Sequence, residues 1–134
     1  MVDEPGLTNR KNTYNNIPST KPKVVISIHN NAAGMGDKWL NARGFSIYTS
    51  TGQTKSDLFA EIFIDTFIQK FKNIKTRVET KDGDKDYEAN FTVLMGNYYA
   101  MLMEVLFQDN IDDVIILSSP AFKNQFVTYF FEGL

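Results

Sequence analysis

The pattern of apolar residues along the chain predicts three strands of two kinds. Residues 23–29 are rich in β-branched side chains and almost continuously apolar, which is typical of a strand buried on both faces of a parallel sheet. We therefore expect this strand to lie centrally in the sheet. Residues 100–107 form a second run of this kind, interrupted only by Glu104. Residues 44–49 alternate apolar with polar or amphipathic side chains, which predicts a strand with one drier face.

Helical spacing is clearest in residues 57–71, where apolar side chains recur every three or four positions. Thr54 or Ser56 can cap the start of this helix. We interpret its aromatic stripe as core that packs against the sheet.

Three shorter helices are also predicted. The first covers residues 8–16, the second follows the candidate caps Asp109 and Asn110, and the third begins after Ser119 and finishes at Gly133. The apolar side chains that helical spacing assigns to the core are Phe59, Ile62, Phe63, Phe67, Phe71, Phe122, Phe126, Val127 and Phe130.

The order of these elements predicts the fold class. Two short extended segments are expected at residues 75–79 and 91–94, giving the order strand, strand, helix, strand, strand, helix, helix. Because the strands are too apolar for a sheet with one solvated face, we expect an α/β domain with a three-layer, mostly parallel sheet flanked by helices. A single domain is predicted over residues 1–134, with residues 1–22 mainly loop around the short helix.

Composition narrows the chemistry that the chain can perform. The 134 residues are 43% apolar and carry a net charge of −2, which gives no electrostatic reason to expect nucleic acid or an anionic membrane as partner. The absence of cysteine excludes disulfides, thiolate metal sites and a cysteine nucleophile. No apolar run approaches the roughly 20 residues that cross a bilayer, and the N-terminus lacks the features of a secretion signal. The location of the protein therefore stays open.

A charged stretch at residues 81–88 has two interpretations. Its mixed charges and its glycine are typical of a solvated loop, which is the interpretation we favour. The alternation of Asp82, Asp84 and Asp86 also suggests calcium, but the twelve-residue calcium loop that ends in a bidentate glutamate is not present.

His29 is the first of two residues that stand out chemically. It is the only histidine of the chain, and it lies at the carboxyl end of a predicted strand, before an Asn-rich loop. Ligands bind at this edge of open α/β sheets, and neutral imidazole is a preferred zinc ligand. The alternative is a structural histidine held by hydrogen bonds.

Glu104 is the second residue that stands out chemically, because an unpaired carboxylate inside an apolar strand destabilises the fold. It must be paired, metal-bound, protonated or at the edge of a cavity, and such a position pushes its pKa toward the range of a general base. The alternatives are an ion pair with Arg43 or Arg77 and an edge-strand glutamate facing solvent. Together, His29 and Glu104 suggest a metal-activated water with a carboxylate to take its proton, although catalytic zinc usually needs three protein ligands.

Several motifs occur in a recognisable order along residues 7–134: residues 27–32, 42–50, 91–94, 102–104 and 106–110, with the helix opened by Ser56. In this order they resemble the zinc-dependent N-acetylmuramoyl-L-alanine amidases of the Amidase_3 type, especially those of phages and gut bacteria. The resemblance implies cleavage of the amide between the lactyl group of N-acetylmuramic acid and L-alanine in peptidoglycan. His29 then matches the family's third zinc ligand, and Glu104 matches the catalytic glutamate of its last strand.

Parts of the family pattern are not found in this sequence. Family members open with a strand and a Gly-His-Gly-Gly type loop that gives the first zinc ligand, followed by a helix with a ligating glutamate. Residues 95–99 also differ from the proline-containing turn that usually precedes the last strand. We therefore expect the C-terminal portion of an amidase fold that lacks its opening strand and helix, binds zinc weakly or not at all, and self-associates through an exposed sheet edge.

Two other functions remain open. One is a catalytically inactive remnant or a cell-wall-binding module of the same fold without bound metal. The other is a metal-free interaction protein with a structural His29, which leaves Glu104 unexplained.

Overall fold

A four-stranded mixed sheet between helical layers forms the centre of the computed structural model, which describes residues 6–131. The strand order is β1-β4-β2-β3, in which β1 and β4 are parallel, β2 and β3 are parallel, and β2 and β4 are antiparallel. The predicted α/β class, with a mostly parallel sheet flanked by helices, is confirmed. The elements in chain order are α1 (Leu7–Asn16), β1 (Val24–Asn31), β2 (Ser46–Thr49), α2 (Lys55–Lys70), β3 (Tyr87–Glu88), a 3₁₀ helix (Thr92–Leu94), β4 (Tyr99–Phe107), α3 (Ile111–Ser118) and α4 (Pro120–Phe131).

The inner position next to β1 belongs to β4, and β1 lies at one edge of the described sheet. The prediction that residues 23–29 form a central strand is therefore wrong. Val24 and Ile28 are 45% and 53% exposed, whereas β4 pairs on both sides and is buried at most positions. A β-branched composition identifies a strand, but it does not determine how many neighbouring strands that strand has.

Alternate side chains of β4 enter two separate cores. Met101 and Met103 point toward α2 and α4, where Phe45 stacks on Phe67 with 4.0 Å between the ring centroids. The side chains of Leu102 and its neighbours on the other face pack against a smaller cluster near the 3₁₀ helix. The second face is also the side on which α1 contacts the 3₁₀ helix.

The start of α2 follows the predicted cap. Thr54 is the N-cap residue, and it forms a reciprocal capping box with Asp57. The aromatic stripe is core at Phe63, Phe67 and Phe71, as predicted, but Ile62 is 61% exposed. Because neighbouring helical positions are separated by about 100°, a helix that packs through Phe63 and Phe67 turns Ile62 toward solvent.

The C-terminal helices also follow the pattern, with α3 capped by Asn110 and α4 beginning at Pro120. Phe122, Phe126 and Phe130 are buried as predicted, whereas Val127 is 49% exposed, so its assignment to the core was wrong. The predicted end of the last helix at Gly133 lies outside the described residues. Within residues 6–131, none of the helices has the length and apolar character needed to cross a bilayer.

Both short extended segments differ from their prediction. Residues 75–79 make only an isolated bridge, in which Phe45 pairs with Thr76, and residues 91–94 contain the 3₁₀ helix instead of a strand. The bridge depends on Gly44, whose φ is +111° and at which a Cβ would lie 2.5 Å from the carbonyl oxygen of Lys75. Only glycine permits this close approach of the two backbones.

The charged stretch is mainly loop, as favoured, but Asp86 inside it is fully buried. Across residues 6–131, no three His, Cys, Asp or Glu side chains form a group that could hold a metal ion. The calcium interpretation therefore receives no support from the arrangement of these carboxylates.

Candidate active site

The parallel pairing of β1 and β4 places His29 directly beside Glu104. The two residues are register partners on neighbouring strands, whose backbones lie about 4.8 Å apart in a sheet. Ser46 of β2 is the partner of Glu104 on the other side. The two residues selected from the sequence therefore lie next to each other at the same level of the sheet.

The backbone leaves regular strand geometry just after this level. The register of β1 and β4 shifts between His29 and Asn31, and Leu106 adopts a φ of +65°. The Asn30 side-chain amide donates a 2.7 Å hydrogen bond to the carbonyl oxygen of Val105, which holds the two strands together where the ladder is irregular. Irregularities of this kind re-aim side chains near strand ends.

A cavity of about 430 Å³ lies over His29 and Glu104. Its floor is the sheet face that carries both residues, and its walls come from α1 and from the segment around the 3₁₀ helix. The walls carry the apolar and aromatic side chains of Leu7, Tyr14, Phe91 and Val93 together with the polar ones of Arg10, Asn90 and Thr92, and Leu102 belongs to the floor. The arrangement, with apolar and polar side chains around a carboxyl group and an imidazole, is typical of a ligand site.

Glu104 is an incompletely satisfied carboxyl group at the floor of this cavity. It is half-buried, and its Oε2 atom has no hydrogen-bond partner among the described residues. Burial raises the pKa of Glu104 above the ordinary value. A carboxyl group in this state is suited to accept a proton from water or from a ligand.

The two arginines considered as partners of Glu104 have other contacts. Arg43 lies 2.7 Å from Asp112 and 3.3 Å from the fully buried Asp113. The guanidinium group of Arg77 lies over the ring of Phe107, 5.2 Å from its centroid. These contacts account for both arginines without an ion pair to Glu104.

His29 is exposed and can offer a ring nitrogen to the cavity. Its Nε2 atom lies 2.9 Å from the hydroxyl oxygen of Ser27, two residues earlier on the same face of β1. The hydroxyl can donate to Nε2 or accept from it, according to which nitrogen carries the proton. A ligand role for Nε2 would replace this hydrogen bond, whereas a ligand role for Nδ1 would leave it in place.

Tyr48 is a residue of this site that the sequence did not reveal. It lies on β2 opposite Leu102, on the face that carries Glu104. Burial raises the pKa of the Tyr48 phenol, and the negative charge of Glu104 raises it further. Period-two alternation could have placed Ser46 and Tyr48 on one face, but it could not show that β2 would pair with β4.

The described residues do not complete a zinc site. Zinc in a catalytic site takes three protein ligands, whereas this level of the sheet offers one imidazole and one carboxylate. No third His, Cys, Asp or Glu from the described part of the chain joins them.

A protein-family model described as N-acetylmuramoyl-L-alanine amidase (Amidase_3) matches residues 3–134. Among solved structures, the chain is similar to the N-acetylmuramoyl-L-alanine amidase from Clostridium difficile 630, with a TM-score of 0.77 and 23% identity over 96% of this chain and 62% of that one. No curated protein sequence matches it.

Two further structural neighbours show the same fold. The catalytic domain of CwlV from Bacillus (Paenibacillus) polymyxa var. colistinus, an N-acetylmuramoyl-L-alanine amidase, has a TM-score of 0.71 and 22% identity over 92% of this chain and 60% of that one. Cwp6 from Clostridium difficile has a TM-score of 0.65 and 28% identity over 92% of this chain and 19% of that one. The chain thus spans less than two thirds of the length of these neighbours.

Proposed function

Because this chain belongs to the N-acetylmuramoyl-L-alanine amidase family, we propose that it acts in hydrolysis of the amide between N-acetylmuramic acid and L-alanine in peptidoglycan. The observation that carries the proposal is Glu104, a half-buried carboxyl group with an unpartnered oxygen beside His29 on the floor of a cavity. A protein that only binds cell wall has no need for a costly carboxyl group at this position.

Glu104 is the general base in this proposal. Its raised pKa lets it hold the proton of an attacking water and pass that proton to the departing amine of L-alanine. Tyr48 lies close enough for the charge of Glu104 to raise the pKa of its phenol, so protonation of Glu104 should lower that pKa. Partial burial removes some of the hydration of the carboxyl group, which keeps its proton affinity high.

His29 is the one residue of this chain that we assign to zinc. Zinc, when bound, supplies a Lewis acid and a water of lowered pKa. The Nε2 atom of His29 can be a ligand only if it gives up its contact with Ser27. Because the described residues supply too few ligands, we expect the chain alone to bind zinc weakly, and His29→Ala to change its stability little.

A chimera tests this function directly. The segment of the Clostridium difficile 630 amidase that this chain covers is replaced by this chain, and the rest of that amidase is retained. Both proteins are incubated with purified cell wall, with and without a chelator, and newly exposed L-alanine amines are measured. We expect hydrolysis by the chimera, sensitive to the chelator, and none by the chain alone.

Matched variants separate catalysis from folding. Glu104→Gln in the chimera should lower the rate by about two to four orders of magnitude, the usual contribution of a general base. Glu61→Gln on α2, outside the cavity, should leave the rate unchanged. Full activity of Glu104→Gln would refute the assignment, and a folded chimera that binds zinc without hydrolysis would favour an inactive, cell-wall-binding protein.

A further inference from the structure

A second and larger cleft, of about 690 Å³, lies beyond the carboxyl ends of β1 and β4. One wall is formed by residues 32–40, which we call the β1 exit loop, and the other by Gln108 and Asp109 directly after β4. The cleft and the His29–Glu104 cavity therefore follow one another along the same pair of strands.

The β1 exit loop is fixed at both of its ends. The Oδ2 atom of Asp109 accepts hydrogen bonds from the backbone N–H groups of Ala33 and Gly34, at 2.7 and 2.8 Å. At the other end, the Leu40 N–H donates to the carbonyl oxygen of Asp109 at 2.7 Å, and the Asn110 amide donates to the Leu40 carbonyl at 2.8 Å. These four bonds hold both ends of the loop in place, which lowers the cost of binding a ligand beside them.

Next to its second fixed end, the loop presents an aromatic side chain beside polar groups. Trp39 is 59% exposed although it is large and apolar, and Gln108, which is also exposed, lines the same cleft. Asp109 is only 5% exposed, and its Oδ1 atom has no hydrogen-bond partner among the described residues. The cleft thus combines a flat, exposed apolar ring and an exposed amide with a buried carboxyl group that holds the loop.

We propose that this cleft binds the glycan strand of peptidoglycan, on the sugar side of the amide bond; the inference rests on the proposed function. A pyranose has apolar faces of C–H groups and a rim of hydroxyl and acetamido groups. Its face can stack on Trp39, and its rim can hydrogen-bond with the exposed amide of Gln108.

The spacing of the two sites agrees with this assignment. Ala32 at the start of the cleft follows His29 by three residues, which corresponds to about 10 Å along a strand. A short oligosaccharide spans this distance. Because the amide joins a sugar to a peptide, a site that cleaves it needs one surface for each, and the apolar cavity over Glu104 is left for the peptide side.

The only tryptophan of the chain makes binding measurable without catalysis. Chitotetraose, the β-1,4-linked tetramer of N-acetylglucosamine, is titrated into the wild-type chain while the fluorescence of Trp39 is recorded. We expect a saturable blue shift. A synthetic stem tripeptide that begins with L-alanine should cause no shift of this kind.

Variants test the contact by calorimetry with chitotetraose. Trp39→Ala should weaken binding by about tenfold, and Trp39→Phe, which keeps an aromatic face, by less. Gln108→Ala should weaken it severalfold, and Glu61→Gln on α2 should bind like the wild type. Circular dichroism verifies that each variant is folded, which we expect because Trp39 is exposed.

Three results would overturn the proposal: no fluorescence change with chitotetraose, equal affinity of Trp39→Ala and wild type, or a shift caused by the tripeptide and not by the sugar. Each is independent of the hydrolysis assay. A chimera that cleaves cell wall while the chain ignores chitotetraose would contradict this inference alone, whereas binding through Trp39 without hydrolysis would contradict the proposed activity alone.

Discussion

Asp86 should make the stability of this protein fall as the pH rises toward neutrality. Its side chain is fully buried, and its Oδ2 atom lies 2.7 Å from the hydroxyl oxygen of Thr49. The same hydroxyl oxygen lies 2.9 Å from the Oδ1 atom of Asp57. Because a hydroxyl group has a single hydrogen, Thr49 can donate to only one of the two carboxyl groups. We therefore expect Asp86 to carry a proton and donate it to Thr49, which in turn donates to Asp57.

The electrostatics of the cluster give the size of this effect. Burial raises the pKa of Asp86 from 3.8 to about 7. The hydrogen bond that Thr49 donates when Asp86 is ionised opposes this rise, and the charges of Asp84 and Asp57 add to it. Since the folded pKa lies above the unfolded one, the stabilisation is complete below about pH 3.8 and is lost as the pH rises through 7. Each pH unit between these values is equivalent to about 1.36 kcal/mol, so an increase from pH 5 to 7 removes at most about 2.7 kcal/mol.

Asp86→Asn should abolish this dependence. The amide has nearly the shape of a protonated carboxyl group, and its NH₂ can donate to Thr49 in the same way. We measure the free energy of unfolding of both proteins in urea. The value for the variant minus that for the wild type should increase by about 2–3 kcal/mol from pH 5 to pH 8. Asp82→Asn, at an exposed position of the same loop, is the matched control and should follow the wild type at both pH values.

Parallel pH profiles of the wild type and Asp86→Asn would refute this reasoning, because they would mean that Asp86 is already ionised in the folded protein at pH 5. Stabilisation of the wild type by calcium at pH 8, absent from Asp86→Asn, would also contradict it. In that case a cation, and not a proton, would balance the charge of the cluster.

Three further predictions follow from the core, the sheet edge and the cavity. Phe67→Ala should lower the free energy of unfolding by about 3–5 kcal/mol in urea titrations, because it empties a stacked position that is fully buried, whereas Leu58→Ala, at a 64% exposed position, should change it by less than about 0.5 kcal/mol. Within residues 6–131, no strand pairs with the outer edge of β1, so this edge should give concentration-dependent dimers in sedimentation experiments, and Ile28→Lys should remove them; a monomer at all concentrations would disprove this. Glu104→Gln should lower the pKa of the Tyr48 phenol in ultraviolet titrations, since the charge of Glu104 raises it, and an unchanged titration would mean that the two groups do not interact.

Elements that depend on neighbouring residues could be predicted from the sequence. The capping box of α2 depends on Thr54 and on Asp57 three residues later, so adjacent residues determine where the helix begins. The prediction of a strand over residues 75–79 was wrong. Their contact with Phe45 depends on the close backbone approach that Gly44 allows, about thirty residues away in sequence. The prediction of a central position for β1 was wrong for the same reason, since the number of strands beside it is a property of the sheet and not of the segment.

Residue type alone predicted only some of the residues in the candidate site. Glu104 and His29 could be selected because each is the wrong residue type for its surroundings, and such exceptions are visible in sequence. The residues that the sequence did not single out are ordinary ones: Tyr48 beside Glu104 is one of several strand aromatics, and Asp86, in a separate cluster, is one of three alternating acids in a loop. What makes Asp86 different from Asp82 is that β2 and α2 bring Thr49 and Asp57 against it, which only the assembled fold can do. A polar residue in an apolar run therefore predicts that a partner must exist, while the identity of that partner has to come from the tertiary structure.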